Sequence, residues 1–382
     1  MKARLLLTLL FLQVLVRSNA NDGAFRAAGN LLIPMYETDV AAKKEILSIR
    51  RINPQQAQIE VYYEFFNPGG AKTLEVGFEA YSPSGDADKT PQDGRQPYIT
   101  RFTVNINGEA IPYKVAIVHD SIYYRAGQFR SIPLAKAIKE SQEEDYVDFF
   151  YVYHFKCTFK PGLNIIRHTY IVDLSNSVIE NYSLNYVLTA AKRWANRQID
   201  DFTLRIDMGE FQDISIQNTF FKDVSEWHID STIKAFQLKG DRKNEEHDTS
   251  EFFIRKGMIV FSKKDFKPID ELRIQAFSNY FYRSHDEDDG TGSKKPDLFN
   301  SNKDRLPFSI EFQDGIFPPA DELSRKILRN LPYARRGYIF KSADIASYYN
   351  RQKWYLPDLA YKPVAGELTK KEQEWLQKLP AN

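Results

Sequence analysis

Hydrophobic and polar side chains alternate along many short stretches of the chain between residues 58 and 277. Ile59, Val61, Tyr63 and Phe65 occupy every second position of one stretch, and the positions between them are mostly polar. A period of two residues is typical of a β-strand with one buried face. The same alternation predicts strands that begin near Leu74, Phe102, Ile111, Phe149, Tyr182 and Phe202. Many short strands separated by turn residues predict a mainly β fold built from antiparallel β-sandwiches.

The strand-rich region is long for a single sandwich. It covers about 300 residues, whereas an immunoglobulin-sized sandwich needs about 100. We therefore predict two β-rich subdomains, which comprise residues 21–175 and residues 176–317.

The hydrophobic period changes near the C-terminus. Between Leu323 and Leu331 the apolar residues recur at helical spacing, and Gly337 is a natural helix stop. Ser342 is placed to cap a second short helix, and the sequence at 369–372 (TKKE) is a capping box that opens a third. The pattern predicts a small helical domain at residues 320–382.

The N-terminus has the order of a secretory signal. A basic start, an uncharged apolar run from Leu5 to Val16 and a small-residue segment ending at Ala20 predict cleavage after Ala20, so that residues 1–20 are a signal peptide. The apolar run is shorter than the roughly 20 residues that cross a membrane. We expect a periplasmic or secreted protein that does not span a membrane.

Charge is distributed unevenly along the chain. The formal net charge is +1, but residues 325–382 contain twelve basic and five acidic residues, which gives this segment a charge of +7. The rest of the chain is therefore acidic. An acidic body repels phosphate outside this one segment, so we predict no nucleic-acid partner.

Candidate catalytic residues are sparse. The only cysteine, Cys157, lies on the aromatic side of its strand and is expected to be buried and inert. Gly-x-Ser-x-Gly signatures are missing, and the acidic stretch at 286–290 lacks the alternating ligand register of a calcium loop. We predict no catalytic site and no cofactor, and hence a protein that is not an enzyme.

Metal-binding spacing is also missing among the six histidines. His154 and His168 lie on the strands before and after a Pro161-Gly162 turn. We expect these to be partner strands, which would allow the two imidazoles to approach each other. Without a nearby carboxylate they are better explained as surface polar residues, and we predict no metal.

The basic and aromatic C-terminal segment is the best candidate for a binding site. Its cations are suited to an anionic polymer, and a tyrosine could stack on a sugar or peptide. The candidate ligand-binding residues are Arg335, Arg336, Lys341, Arg351, Lys353 and Tyr355. A domain of about 60 residues needs large rings simply to form a core. We therefore favour a core role for Tyr333, Tyr338, Phe340 and Trp354, and outward contacts for the arginines, although Arg335 could instead bond helix-terminal carbonyls.

Two parts of the sequence resemble known families. The run from Tyr333 to Phe340 (YARRGYIF), followed by Tyr349 and the Trp354-Tyr355 pair, resembles the YARHG domain, an extracellular module of bacterial proteins. The family has histidine where this chain has Arg336. The resemblance implies an envelope-facing adaptor without established catalytic chemistry.

The N-terminal region is similar to a second, uncharacterised family of secreted bacterial proteins. The resemblance is carried by short motifs at 45–49 (EILSI), 61–67 (VYYEFFN) and 186–190 (YVLTA). It implies a β-rich secreted domain and no particular reaction.

Three functional hypotheses follow. The leading one is a non-enzymatic bacterial envelope protein whose helical module binds cell-wall polymer, another envelope polymer or an envelope protein. The alternative is an envelope hydrolase with carboxylates scattered through the β-body, which would converge in a cleft on folding. In a third, the helical module docks on the β-body and only stabilises it.

Overall fold

The computed structural model describes residues 28–30, 32–36, 38–119, 122–144, 146–240, 247–278, 298–313 and 317–379. The predicted signal peptide and the acidic stretch at 286–290 lie outside these residues. The fold is mostly β and ends in helices, which confirms the predicted class.

Two large sheets account for most of the described strands. The first contains β1 (Ala28–Asn30), β2 (Ile33–Pro34), β5 (Lys72–Tyr81), β8 (Lys114–Val118), β11 (Phe150–Phe159), β13 (Glu180–Val187), β15 (Gln212–Gln217), β17 (Ile233–Leu238), β18 (Thr249–Ile254) and β20 (Leu272–Phe277). The second contains β3 (Ala41–Asn53), β4 (Gln56–Asn67), β6 (Ile99–Ile106), β7 (Glu109–Ala110), β12 (Gly162–Asp173), β14 (Ile199–Asp207), β16 (Trp227–His228) and β19 (Ile259–Phe266).

The remaining elements are short. Strands β9 (Tyr124–Arg125) and β10 (Gln128–Phe129) form a separate hairpin. The helices are α1 (Leu134–Glu143), α2 (Glu322–Arg335), α3 (Ala343–Asn350) and α4 (Lys370–Lys378), with 3-10 turns at Thr189–Arg193 and Val224–Glu226.

The alternating residues of the sequence form the core of the sandwich. Ile59, Val61, Tyr63 and Phe65 of β4 are all at most 2% exposed, and one continuous buried cluster takes residues from both large sheets. The apolar period of two therefore faces the opposite sheet.

Each sheet is made of two contiguous blocks. In the first sheet, strands of residues 180–277 (β17-β18-β15-β20-β13) are followed by strands of residues 28–159 (β1-β5-β11-β8). In the second, β16-β19-β14 are followed by β3-β4-β12-β6-β7. The blocks meet at two parallel seams, β1 with β13 and β3 with β14, whereas the other strand pairs of the described sheets are antiparallel.

The predicted boundary between residues 175 and 176 falls between these blocks. The blocks nevertheless share both sheets and one buried cluster. The division into separate domains remains a prediction, but the seams show that the two halves are joined edge to edge.

The expected pairing of the strands on either side of Pro161-Gly162 is wrong. Strand β11 pairs with β5 and β8 in the first sheet, whereas β12 pairs with β4 and β6 in the second. Both strands carry large apolar side chains, so the chain crosses between the sheets at this turn and both apolar faces are buried. Gly162, at φ +83°, allows the tight turn.

This crossing also separates the two histidines that were expected to approach. His154 bonds Glu75 in the first sheet through Nδ1 at 2.6 Å. The expectation that His168 is a surface residue is wrong, because it is fully buried in the core, where its ring stacks on Tyr63. Cys157 is buried as predicted, and burial raises the pKa of its thiol.

The helical module covers part of the outer face of the first sheet. In β18, Phe252 faces the sandwich core, whereas Phe253 belongs to a second buried cluster with helices α2, α3 and α4. This cluster also includes Phe299, Leu306, Phe308 and Ile310, which precede the predicted domain. Residues 299–310 therefore pack with the helical module, whereas Phe312 packs against the sandwich core.

Candidate functional site

Helix α2 forms the base of the candidate site. Asp321 caps it by accepting a bond from the backbone N–H of Ser324 at 2.7 Å. Ile327 and Leu331 are fully buried, and Gly337, at φ +92°, follows the end of the helix as predicted. The helical spacing thus turns one apolar stripe towards the module core.

Two arginines at the end of α2 share one buried carboxylate. Arg335 Nη1 donates to Glu372 Oε1 at 3.0 Å, while Arg336 donates to the two oxygens of Glu372 at 2.5 and 2.7 Å. Arg336 also donates to the carbonyl oxygens of Pro332 (2.9 Å) and Glu367 (3.1 Å). The expectation that these arginines point outward is wrong, because a carboxylate inside the module holds both of them.

The capping box places that carboxylate. Glu372 Oε2 accepts from the backbone N–H of Thr369 at 2.9 Å, and the Thr369 hydroxyl accepts from the backbone N–H of Glu372 at 3.3 Å. Glu372 is fully buried. Burial alone would raise the pKa of Glu372, but the bonds from Arg336 and the charge of Arg335 hold it below its usual value. Conversely, burial lowers the pKa of Arg335 to about 10, against the opposing charge of Glu372.

The aromatic residues of the motif are mostly part of the core. Phe340 and Trp354 are buried, which confirms the core role predicted for them, while Tyr333 and Tyr338 are half-buried. Trp354 Nε1 donates to the carbonyl of Leu306 at 2.8 Å.

The predicted ligand-binding residues are divided between interior and surface. Tyr355, proposed for stacking, is 5% exposed, and its hydroxyl donates to the carbonyl oxygen of Tyr338 at 2.6 Å. Lys341, Arg351 and Lys353 are exposed. These three residues, here called the cationic rim, are the part of the predicted site that a large ligand could contact directly.

Polar contacts connect the module to the β-body. Arg255 Nη2 donates to the carbonyl of Leu356 at 2.6 Å, and its Nη1 lies 3.2 Å from Asp358 Oδ2. Lys234 Nζ donates to the carbonyl oxygen of Tyr355 at 2.9 Å. Sequence reasoning missed these contacts and Glu372 as the partner of the arginines. No local pattern connects residues that are 36 to 121 positions apart.

Two carboxylates of the β-body line a small pocket beside the module. Asp213 of β15 and Glu251 of β18 face a cavity of about 70 Å³ that Trp354 also lines. Burial raises the pKa of Glu251, with an opposing effect from the charge of Lys353. Lys353 Nζ lies 3.9 Å from Glu251 Oε2.

No group of three or more histidine, cysteine, aspartate or glutamate side chains converges to hold a metal ion within the part of the chain that the structure describes. Among the same residues, no helix is both long and apolar enough to cross a membrane.

The comparisons with known proteins agree with the C-terminal resemblance. Residues 319–381 match the family model of the YARHG domain. The match confirms the predicted module and covers this part of the chain alone. No curated protein matches the chain.

Two solved structures align with the chain at low similarity. A candidate nutrient-binding protein from Legionella pneumophila aligns with 94% of this chain and 99% of its own, at 16% identity and a TM-score of 0.47. An M1 zinc metallopeptidase from Deinococcus radiodurans aligns with 64% of this chain and 43% of its own, at 9% identity and a TM-score of 0.24.

Proposed function

We propose that this is an exported, non-enzymatic binding or adaptor protein, located in the periplasm or secreted. Its YARHG module engages an anionic polymer of the cell envelope or an envelope protein, while the β-body carries the module. The observation that carries the proposal is the cationic rim. It remains exposed after Arg335, Arg336 and Tyr355 have been taken into the module core.

Electrostatics supports this function more than ring stacking does. Burial of Arg335 and Arg336 with Glu372 removes only one unit from the net charge of +7 on residues 325–382. The positive character therefore belongs mainly to exposed side chains. Attraction between exposed charges weakens with salt over a Debye length of about 10 Å at 0.1 M. Binding to an anionic polymer should weaken in the same way.

Charge reversal on the full-length protein tests the proposal. The triple variant Lys341→Glu, Arg351→Glu and Lys353→Glu should lose about tenfold or more in retention on purified cell wall or envelope extract at low salt. The matched control reverses three exposed lysines of the β-body, Lys114, Lys156 and Lys160. Protease treatment of the extract separates a polymer ligand from a protein ligand.

Two results would contradict the proposal. The first is no retention of the parent protein at low salt. The second is equal retention of the rim variant and the parent.

The hydrolase alternative has one observation in its favour, the carboxylates Asp213 and Glu251 in one pocket. Glycoside cleavage requires two carboxyl groups on opposite sides of a sugar bond. The pocket, at about 70 Å³, is well below the roughly 300 Å³ at which small-molecule sites begin. Under the leading proposal, the Asp213→Asn, Glu251→Gln double variant should match the parent in cell-wall hydrolysis. A parental hydrolytic activity that the double variant loses would favour the alternative.

A further inference from the structure

A second, larger pocket lies where the β-body meets the helical module, and the proposed rim function does not use it. This junction pocket has a volume of about 320 Å³. Arg51 and Gln212 line it from the β-body, Glu311 from the connecting segment, and Arg335 and Lys371 from the module. Its size is within the range of small-molecule sites, about 300 to 1,000 Å³.

Two of the charged residues in the pocket wall, Arg51 and Glu311, are paired with each other. Arg51 makes a bidentate contact with Glu311, with N–O distances of 2.7 and 2.8 Å. Gln212 Nε2 also donates to Glu311 Oε2 at 2.8 Å. Glu311 is thereby committed to protein partners and does not present a free negative charge to a ligand.

Arg335 on the module side has a hydrogen bond to one carboxylate, and the charges of Asp213 and Glu311 also act on it. It contacts a single oxygen of Glu372, and Arg336 contacts the same oxygen as well as the other one. Glu367 lies 3.9 Å from Arg336 Nε and adds to the compensation of Arg336. The Arg335 side chain is 4% exposed, and its Nε–H has no hydrogen-bond partner among the described residues.

The start of α4 brings further positive potential to the same wall. Thr369 caps this nine-residue helix, and both Thr369 and Lys371 line the pocket. Backbone N–H groups in a first helical turn and a lysine side chain both favour an anion. Glu210, also in the lining, is the one remaining carboxylate on the pocket wall besides Glu311.

Apolar side chains complete the lining. Met208, Phe211 and Ile310 lie in the pocket wall, and the guanidinium carbon of Arg335 is 4.3 Å from the centre of the Phe211 ring. These three side chains are buried, whereas Ile52, which also lines the pocket, is 40% exposed and presents an apolar surface to a ligand.

We propose that the junction pocket binds a small organic anion. Its carboxylate or phosphate group would face Arg335, Lys371 and the start of α4, and its apolar part would lie against Ile52, an exposed apolar side chain of the pocket wall. The anion adds negative charge beside Arg335, whose guanidinium group has one hydrogen bond to a carboxylate. Because the pocket has walls from both the β-body and the module, such a ligand stabilises their contact.

Calorimetric titration of the full-length protein with benzoate, phenyl phosphate and benzyl alcohol tests this inference. At least one anion should bind with a dissociation constant below about 1 mM, and neutral benzyl alcohol should bind about tenfold or more weakly. The comparison of benzoate with phenyl phosphate identifies the preferred acidic group. Lys371→Glu should weaken anion binding about tenfold, whereas the control Lys362→Glu, on an exposed loop of the same module, should not.

Several outcomes would overturn the inference. They are no anion binding up to about 10 mM, equal binding of benzyl alcohol, and equal weakening by Lys371→Glu and Lys362→Glu. The triple rim variant should bind the small anion like the parent protein, so failure of the rim proposal and failure of this one are distinguishable.

Discussion

At the scale of single residues, both the backbone angle and the lack of space for a side chain favour glycine at position 337. Its φ of +92° is unfavourable for other residues, and an added Cβ would lie 2.6 Å from the carbonyl oxygen of Leu356. The same Cβ would lie 2.7 Å from Arg255 Nη2. The helix stop therefore also lies beside Arg255 of the β-body.

Gly337→Ala should destabilise the protein by more than the roughly 1–2 kcal/mol of a left-handed residue, because the methyl group also separates Arg255 from Leu356. Gly366→Ala is the matched control. Gly366 has φ +80° but no atom within 4 Å of an added Cβ, so only the backbone cost applies. Urea denaturation of both variants measures the difference, and equal losses would contradict the steric argument.

Two buried titratable residues make the stability of the fold depend on pH in opposite directions. Burial lowers the pKa of His168 from 6.5 to about 3. Burial raises the pKa of Glu45 well above 4.5, and neither of its carboxyl oxygens has a hydrogen-bond partner among the described residues. Below pH 6.5 the unfolded state binds a proton at His168 that the folded state does not, so acid destabilises the fold. Above pH 4.5 the unfolded state releases a proton from Glu45 that the folded state keeps, so base destabilises it.

Between pH 4.5 and 6.5 these two effects offset each other in the parent protein. Relative to the parent, His168→Phe should gain about 1.4 kcal/mol of unfolding free energy for each pH unit below 6.5. Glu45→Gln should gain a similar amount for each unit above 4.5. Denaturation at several pH values measures both slopes. If a variant shows the same pH dependence of unfolding free energy as the parent, the replaced residue has an ordinary pKa in the folded protein.

At the scale of elements, helix α4 is attached through charge as well as through apolar contacts. Glu372 makes the capping bond of its own helix and accepts three bonds from Arg335 and Arg336 at the end of α2. Trp375 adds a bond from Nε1 to the carbonyl oxygen of Leu328 at 2.9 Å. Loss of the Glu372 charge would leave two guanidinium groups buried without their carboxylate.

Glu372→Gln should cost about 3–5 kcal/mol, the range for removal of one partner of a buried ion pair. Glu374→Gln, on the same helix at a more exposed site, is the control and should cost less than about 0.5 kcal/mol. Chemical denaturation measures the stabilities, and hydrogen exchange in α4 localises the effect. Similar costs for the two substitutions would contradict the central role of Glu372.

Local pattern explains which elements the sequence predicted well. The period of two predicted β4, and the capping box placed the start of α4 at Thr369, because both signals lie within a few adjacent residues. Ser342 precedes α3 as expected, but its side chain makes no capping bond. Helix α1 was not predicted, since it has no capping side chain at its start, no acidic residue in its first turn and no basic residue in its last turn.

Contacts between distant residues were beyond this reasoning. The crossing from β11 to β12 depends on which sheet can bury each face, and the inward turn of Arg335 and Arg336 depends on a carboxylate 36 residues away. At the candidate site the sequence identified the module and its cationic residues. It did not identify which cations are buried, because burial depends on the tertiary partner.

At the scale of the whole molecule, the module and the β-body bury each other's apolar surface. Phe211 and Phe253 of the β-body lie in the same buried cluster as Leu331 and Trp354 of the module. We therefore expect the module to stabilise the body, in addition to any ligand binding by the module.

Deletion of residues 321–382 should lower the melting temperature of the remaining protein by about 5 °C or more, because it exposes Phe211 and Phe253. Arg255→Met, which removes the polar contacts while keeping a long side chain, should have a smaller effect. Differential scanning calorimetry measures both variants. An unchanged melting temperature after deletion would show that the β-body does not depend on the module.

The two parallel seams have a consequence for how the protein folds during its synthesis. Each seam pairs residues about 160 positions apart, and such long-range pairing slows folding. When a ribosome has completed only the first block, the seam edges of β1 and β3 have no partner strand. These two edges therefore stay unpaired until the second half of the chain has been synthesised. Until then they can pair with a strand of another nascent chain.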